Sequence, residues 1–346
     1  MAIDTHEVPA PRQRRSGRPS IVDVARLAGV SRQTVSNVLN GRAAFSRDTE
    51  SRVMAAMEEL AYKPSRAAQT MRSRRTRQLG YHMSGEQLEV VRGFTLGFVQ
   101  ALVKAAARED HQIVVFTNHG DDPTPVFRDL IAGRGVDAFI LDESRVDDPR
   151  VRLLAAEGVP FACFGRTAPD LPQQWVDVDN AAGMLELVEH LVAAGHRDYA
   201  YVGAGGGEYW KHERLDGLRR GLARHGLGVA EDRVFHGADG EIRRWVGDLL
   251  RQRRPTAIVA NSDAVAVTVV NACHAAGLRV GRDIAVTGFD GGAMGLLTEP
   301  VLTSVRIPVD QIARELVARC LDEISAGPTG RPGLLVPTEL TVGGSA

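Results

Sequence analysis

The chain has 346 residues, 44% of them hydrophobic and 25% charged, with a formal net charge of −1. That length sets two or three domains as the prior, and that apolar content is enough for a sizeable buried core. No apolar run reaches the roughly 18 residues of a membrane span, and the start "MAIDTHEVPAPRQRRSGRPS" carries no apolar signal-peptide region, so the expectation is a cytoplasmic protein without membrane contact. The charge is unevenly divided: residues 1–78 sum to +8 and the remainder to −9. A basic head on an acidic body predicts a polyanionic partner for the head, the alternative being a solvated basic tail. Cys163, Cys273 and Cys320 are odd in number, widely spaced and set among apolar residues. They read as buried thiols rather than as a disulfide framework or a metal site.

Residues 1–19, rich in Pro and Arg, read as a disordered basic arm. Ser20 then caps a helix over about 21–28, with Asp23 as its capping-box partner. Val24 and Leu27 are expected to face inward. Gly29 is free to take a left-handed turn. Ser31 caps a second helix over about 32–39, with Val35, Val38 and Leu39 toward the core and Gly41 ending it. Ser46 opens a third helix carrying Val53, Met57 and Leu60, and Pro64 ends it. Helix, tight turn, helix and supporting helix within residues 20–62 form a helix-turn-helix, whose second helix enters the major groove. Arg32, Gln33 and Asn37 lie on the polar side of that helix. Arg suits guanine, and Gln and Asn suit adenine. The alternative is an amphipathic helix with its polar side in water.

From Leu79 the pattern changes. "LGYHM", "QIVVFT", "DAFIL", "FACFG", "YAYVG", "AIVA" and "IAVTGFD" read as buried strands. Helices such as 95–108, 181–194, 213–225, 263–276 and 309–325 stand between or after them. This alternation predicts parallel sheets covered by helices. About 260 residues of it predict an α/β core of two doubly wound parallel-sheet subdomains, with "WVDVDNAAG" near the crossing. Ligands of such folds sit off the carboxyl ends of strands. An enzyme is the first rival. "YVGAGGGEYW" follows a strand, but a dinucleotide fingerprint needs glycine at 203, 205 and 208, and 208 is Glu. No Ser-His-Asp, Cys-His or metal-ligand spacing stands out, so no catalytic residue, cofactor or metal is expected.

"SIVDVARLAGVSRQTVSNVLNGRAAFSRDTESRVMAAMEELAYKPSRAAQTMRSRRT" closely resembles the start of lactose-repressor (LacI/GalR) family regulators. "GVDAFIL", "GVPFACFGR", "VDVDNAAG", "LVAAGHRDYAYVG", "ERLDGLRRGL", "ANSDAVAV", "GLRVGRDIAVTGFD" and "PVLTSVRIPV" continue the match in the family's order. The resemblance implies a DNA-binding head at 20–62 and a hinge helix and linker at 63–78. It further implies an effector-binding core at 79–346, similar to periplasmic sugar-binding proteins. Within that core the expected subdomains are about 79–177 with 307–334, and about 178–306 with 335–346. It implies a homodimer on a pseudo-palindromic operator in double-stranded DNA, and a repressor of carbohydrate genes that a sugar releases. A purine or other metabolite as effector or corepressor stays open, and a sugar-binding transport receptor is a remote rival.

Carried over residue by residue, Arg32, Gln33 and Asn37 read bases, while Ser31, Thr34 and Ser36 contact phosphates. "PSRAAQTMR" (64–72) matches a minor-groove hinge helix, with Ala68 allowing close approach and Met71 at a wedge position where the family usually has Leu. A plain linker is the alternative. Around the effector the resemblance places Arg166, Asp179, Arg214, Asp263 and Asp290. Trp175, Tyr209 and Trp210 are aromatic candidates, and Ser84, Glu86 and Gln87 follow the first core strand. Each acid is equally open to a capping role, Asp179 to bracing the crossover, and His212 to plain surface exposure. The chain departs from the family at "MSGEQLEVVRGF", where many members have an Asn-Pro-aromatic stretch, and at Ser262, where Asn is common. Its end, "TELTVGGSA", carries no tetramerising heptads, which favours a dimer.

Overall fold

The first helix, α1 (Ile21–Ala28), starts where its capping box predicts. Asp23 N donates to Ser20 Oγ at 3.4 Å and Ser20 N donates to Asp23 Oδ2 at 2.9 Å. This reciprocal pair satisfies two backbone donors that a helix start leaves open. Gly29 closes the helix at φ 65°, a left-handed conformation that glycine adopts without strain. The computed structural model describes residues 19–39, 45–62, 75–84, 93–118, 120–168, 170–171 and 173–346. The basic arm up to residue 18, Gly41, the hinge segment 64–72 with Ala68 and Met71, and Glu86 and Gln87 lie outside the described residues.

Contacts divide the chain into Met1–Arg75 and Thr76–Ala346. In the first unit, α1 is followed by α2 (Arg32–Leu39) and α3 (Arg47–Glu59). Val24, Ala25, Ala28, Val35, Val53 and Ala56 form their shared core, edged by Ile21, Val38, Leu39, Met57 and Leu60. One inward expectation fails: Leu27 is 45% exposed. The buried stripe of α1 runs through positions 21, 24, 25 and 28, and position 27 falls off it.

The second unit holds two six-stranded sheets. The first has the order β11-β5-β4-β3-β1-β2 and is parallel throughout. Its strands are β1 (Gln78–His82), β2 (Gln112–Phe116), β3 (Ala138–Leu141), β4 (Phe161–Phe164), β5 (Trp175–Val178) and β11 (Leu334–Val336). The second has the order β12-β10-β9-β8-β6-β7. It is built from β6 (Tyr199–Ala204), β7 (Val234–Gly237), β8 (Ala257–Ala260), β9 (Ala285–Asp290), β10 (Thr303–Arg306) and β12 (Glu339–Thr341). The edge strand β12 runs antiparallel to β10, a departure from the all-parallel expectation.

The connecting helices are α4 (Gly93–Arg108), α5 (Thr124–Ala132), α6 (Pro149–Ala156), α7 (Asn180–Ala193), α8 (Tyr209–Arg224), α9 (Asp239–Gln252), α10 (Asp263–Ala275), α11 (Ala293–Leu296) and α12 (Val309–Ala326). The chain passes from the first sheet to the second after β5, through α7, so "WVDVDNAAG" does stand at a crossing. It returns through α12, which packs on α4 and on β3, β4 and β5, and crosses again between β11 and β12. β11 stays in the first sheet through Val336, slightly beyond the boundary expected at 334. A continuous apolar cluster that includes Tyr81, Phe98, Val178, Phe289, Val305 and Val336 joins the two sheets. Cys163, Cys273 and Cys320 are free and buried. Among the described residues no helix is long and apolar enough to cross a membrane.

Candidate functional site

In the head, Val35 is fully buried and anchors α2 on its neighbours. The side of the helix away from Val35 presents the exposed Gln33 and the half-buried Asn37, and the exposed Arg32 stands on its first turn. Gln33 Nε2 donates to Asn37 Oδ1 at 3.0 Å, so the two amides lie one turn apart on one face and hold each other. Ser31 Oγ accepts from Thr34 N at 3.0 Å and shares a hydrogen bond with Thr34 Oγ1 at 2.9 Å. These two hydroxyl residues therefore cap α2, and Ser36 is half-buried.

In the core, a cleft opens where the carboxyl ends of β3, β4 and β5 face those of β6, β8, β9 and β10. Four expected residues line it: Trp210, Arg214, Asp263 and Asp290. Arg214 is 4% exposed. Its Nε donates to Asn180 Oδ1 at 2.9 Å, its Nη1 donates to the Asn261 carbonyl at 2.6 Å, and Nη1 stands 3.5 Å from Asp290 Oδ1. The guanidinium lies 3.6 Å from the Phe289 ring centre and 4.2 Å from that of Trp210. Two aromatic faces and three oxygens thus fix its plane.

Asp263 Oδ1 accepts from Ser304 Oγ at 2.5 Å and its Oδ2 from Gly292 N at 2.8 Å. Burial pushes its pKa up to about 6, against those hydrogen bonds. Burial acts more strongly on Asp290, whose pKa rises to about 8 although Arg214 pulls it down. Asp290 also has φ 130°, a backbone region sparsely populated by residues with a Cβ.

The other four expected residues are not in the lining. Arg166 Nε donates to Asp177 Oδ2 at 2.9 Å, and its Nη2 lies 2.6 Å from both Glu213 oxygens. Tyr209 and Trp175 flank that guanidinium at 5.2 and 5.4 Å. Arg166 is therefore tied up as a brace from the first sheet to α8. Asp179 caps α7 by accepting from Ala182 N at 2.8 Å, which is the capping alternative its sequence left open. Ser262 likewise caps α10, and His212 is exposed. Ser84 lines a different cavity, beside His82 and Asn118.

Sequence reasoning missed Phe94, Phe164, Asn180, Asp142 and Glu143 in the cleft wall. Asp142 and Glu143 directly follow the strand "DAFIL", so the strand-end rule applied to them as well. Nothing local in the sequence distinguishes Phe94 and Phe164, as rings in a cleft wall, from ordinary core residues. Trp210 Nε1 donates to Glu143 Oε2 at 3.3 Å, bridging the two halves of the wall.

Comparison with known proteins matches residues 20–65 to the model of bacterial regulatory proteins of the lacI family, and residues 188–346 to a periplasmic binding protein-like domain. The HTH-type transcriptional regulator CelR of Thermobifida fusca is 32% identical, over 95% of this chain and 98% of its own length. This chain belongs to the LacI family. The solved CelR–cellobiose complex has a TM-score of 0.72 at 30% identity, over 95% of this chain and 100% of that one. The lac repressor dimer bound to operator has a TM-score of 0.81 at 25% identity, over 95% and 99%. As a LacI-family member the chain is a DNA-binding transcriptional regulator and not an enzyme. Its helix-turn-helix head and its two-sheet, periplasmic-binding-protein-like core are the family's two parts.

Proposed function

We propose that this regulator is a homodimeric repressor of carbohydrate-utilisation genes that an uncharged sugar releases from a pseudo-palindromic operator. The observation that carries the sugar reading is the wall of the cleft. Arg214, Asn180, Asp263 and Asp290 offer planar hydrogen-bonding groups to adjacent hydroxyls, and Trp210, Phe94 and Phe164 offer apolar faces to the C–H side of a pyranose. Five acidic side chains, Asp142, Glu143, Asp177, Asp263 and Asp290, surround one guanidinium that Asp290, Asn180 and the Asn261 carbonyl already engage, an arrangement that disfavours phosphorylated or anionic effectors. The CelR relative, whose solved complex contains cellobiose, supports the same class.

In the head, Arg32, Gln33 and Asn37 read base edges, and Ser31, Thr34 and Ser36 position the helix on phosphates. Ala68 and Met71 belong to a hinge helix in the minor groove, where Met71 acts as an apolar wedge between base steps. Leu96 and Val103 stand two turns apart on α4 and are 56% and 48% exposed. Apolar exposure along one helix face fits a subunit interface, in line with the operator-bound lac repressor dimer.

The cleft lies between the two sheets, so a ligand there touches both subdomains and can bias their arrangement. A shift in that arrangement releases DNA provided the ligand prefers the low-affinity arrangement.

The test begins with selection from random duplexes. It should enrich a palindrome whose binding weakens steeply with salt, as phosphate contacts require. A panel of neutral sugars, sugar phosphates and purines is then added to the complex. A neutral sugar should raise the melting temperature of the free protein and lower operator affinity by about 5–150-fold, the usual range of allosteric coupling. Absence of any palindrome, or a response to a purine or sugar phosphate alone, overturns the reading.

A further inference from the structure

Glu213 and Arg214 are neighbours on α8 with different partners, and Asn180 joins them. Asn180 is the first residue of α7 and is 1% exposed. Its Oδ1 accepts from Arg214 Nε at 2.9 Å, and its Nδ2 donates to Glu213 Oε2 at 3.2 Å and to the Val178 carbonyl at 3.3 Å. One orientation of this amide satisfies all three. Arg214 Nε can only donate, so the amide oxygen must face it, and the amide nitrogen then faces two acceptors.

Glu213 is in turn gripped by Arg166, which is anchored on Asp177 of β5. The result is an unbroken polar chain, Asp177–Arg166–Glu213–Asn180–Arg214–Asp290, in which the charged members alternate in sign. It begins on the first sheet and ends on the second. Asp177, Asn180, Arg214 and Asp290 line the cleft, whereas Arg166 and Glu213 do not. Burial raises the pKa of Asp177 and of Glu213 while Arg166 lowers it, so both acids depend on that guanidinium to stay charged. A charged Glu213 is also the stronger of the two acceptors on Asn180.

We propose that Arg166 and Glu213, outside the cleft, are positioning residues of the effector site: acting through Asn180, they hold the Nε end of Arg214 in place against the first sheet. A shift of that sheet against α8 pulls Arg166 from Glu213, loosens the Asn180 amide and frees Arg214 Nε. The chain is thus a physical route by which the arrangement of the two sheets sets a group in the ligand wall, and a ligand sets the arrangement in return. This role rests on the reading of the cleft as the effector site.

Side-chain NMR of the full chain tests the positioning without a ligand. The Nε–H signal of Arg214, identified by its loss in Arg214→Lys, should exchange slowly with solvent in the wild type. Glu213→Leu and Arg166→Met should each speed that exchange about tenfold or more, the size of one lost hydrogen bond to a charged group. Glu213→Gln keeps an acceptor for Asn180 and should stay near the wild type. Arg150, whose Nε donates to Asp148 Oδ1 at 3.0 Å, is the reference and should be unchanged in every variant. An unmoved Arg214 in both Glu213→Leu and Arg166→Met means that the ion pair is only a brace, and an Arg150 that quickens in step means general loosening. Either result overturns the proposal. Calorimetric titration with glucose, cellobiose and maltose follows. Any of these that binds the wild type should bind Glu213→Leu about tenfold more weakly and Glu213→Gln nearly as well, and equal affinity for Glu213→Leu overturns the role in recognition. Failure of all three to bind the wild type counts against the sugar reading alone, because the exchange rates decide the positioning by themselves.

Discussion

Arg214 Nη1 stands 3.5 Å from Asp290 Oδ1, and both side chains are almost enclosed, 5% and 12% exposed. Burial lowers the pKa of the guanidinium and raises that of the carboxyl, so each group resists its charge and needs the other. The pair sits at the junction of α8 and β9, in the wall of the cleft.

Removing one partner leaves the other buried and alone. Arg214→Met should destabilise the core by about 3–5 kcal/mol. Asp290→Asn added to that variant should recover part of the loss, because the orphaned carboxyl is gone. Urea unfolding of the two single variants and the double variant measures this. Equal additive losses would show that the two side chains do not sense each other.

The raised pKa of Asp290 has a definite sign for stability. An unfolded Asp releases its proton near 3.8, whereas the folded group holds it up to about 8. Between those values the folded chain binds more protons, so this group's contribution falls as pH rises from 4 to 8. His82, lowered to about 4, works the opposite way below pH 6.5, so the comparison must be a difference. Thermal unfolding at several pH values should show wild type losing stability relative to Asp290→Asn across that window. A constant difference from pH 4 to pH 8 contradicts the shift.

On the DNA side, Gln33→Ala should cost about 1–3 kcal/mol on the best operator and relax the preference at one position in each half-site. Fluorescence anisotropy with specific and random duplexes separates the cases. An equal loss on both would move Gln33 from base reading to phosphate contact.

Gly217 on α8 faces α7 at a point where a Cβ would sit 2.9 Å from Ala181 Cα and 3.1 Å from its carbonyl oxygen. Both are backbone atoms and cannot rotate away. Gly217→Ala should push the helices apart and destabilise the core by about 1–3 kcal/mol. A melting temperature equal to wild type or higher would show that the helix pair relaxes at no cost.

Much of this molecule is legible from residues a few positions apart. Ser20 with Asp23, Ser31 with Thr34, and Gly29 are local, so their caps and turn can be read along the chain. The strands "AIVA" and "IAVTGFD" are apolar because helices cover both faces of their sheet, and that too leaves its mark in sequence. The family resemblance then points to Arg214, Asp263 and Asp290, and the search for aromatic faces adds Trp210.

The same resemblance points equally to Arg166 and Asp179, and there the tertiary structure puts neither in the cleft lining. Glu213, 47 positions away on α8, claims Arg166, and the first turn of α7 claims Asp179. Phe94, on the first turn of α4, and Glu143, beside Trp210, enter the cleft only because two sheets meet there. Sequence by itself determined the elements, their order and the kinds of side chain delivered to each strand end, because these follow from local hydrogen bonding and the periodicity of burial. Which of those side chains line the cleft and which pair outside it was settled by long-range packing between α7, α8 and the two sheets, because residues far apart in the chain meet only there.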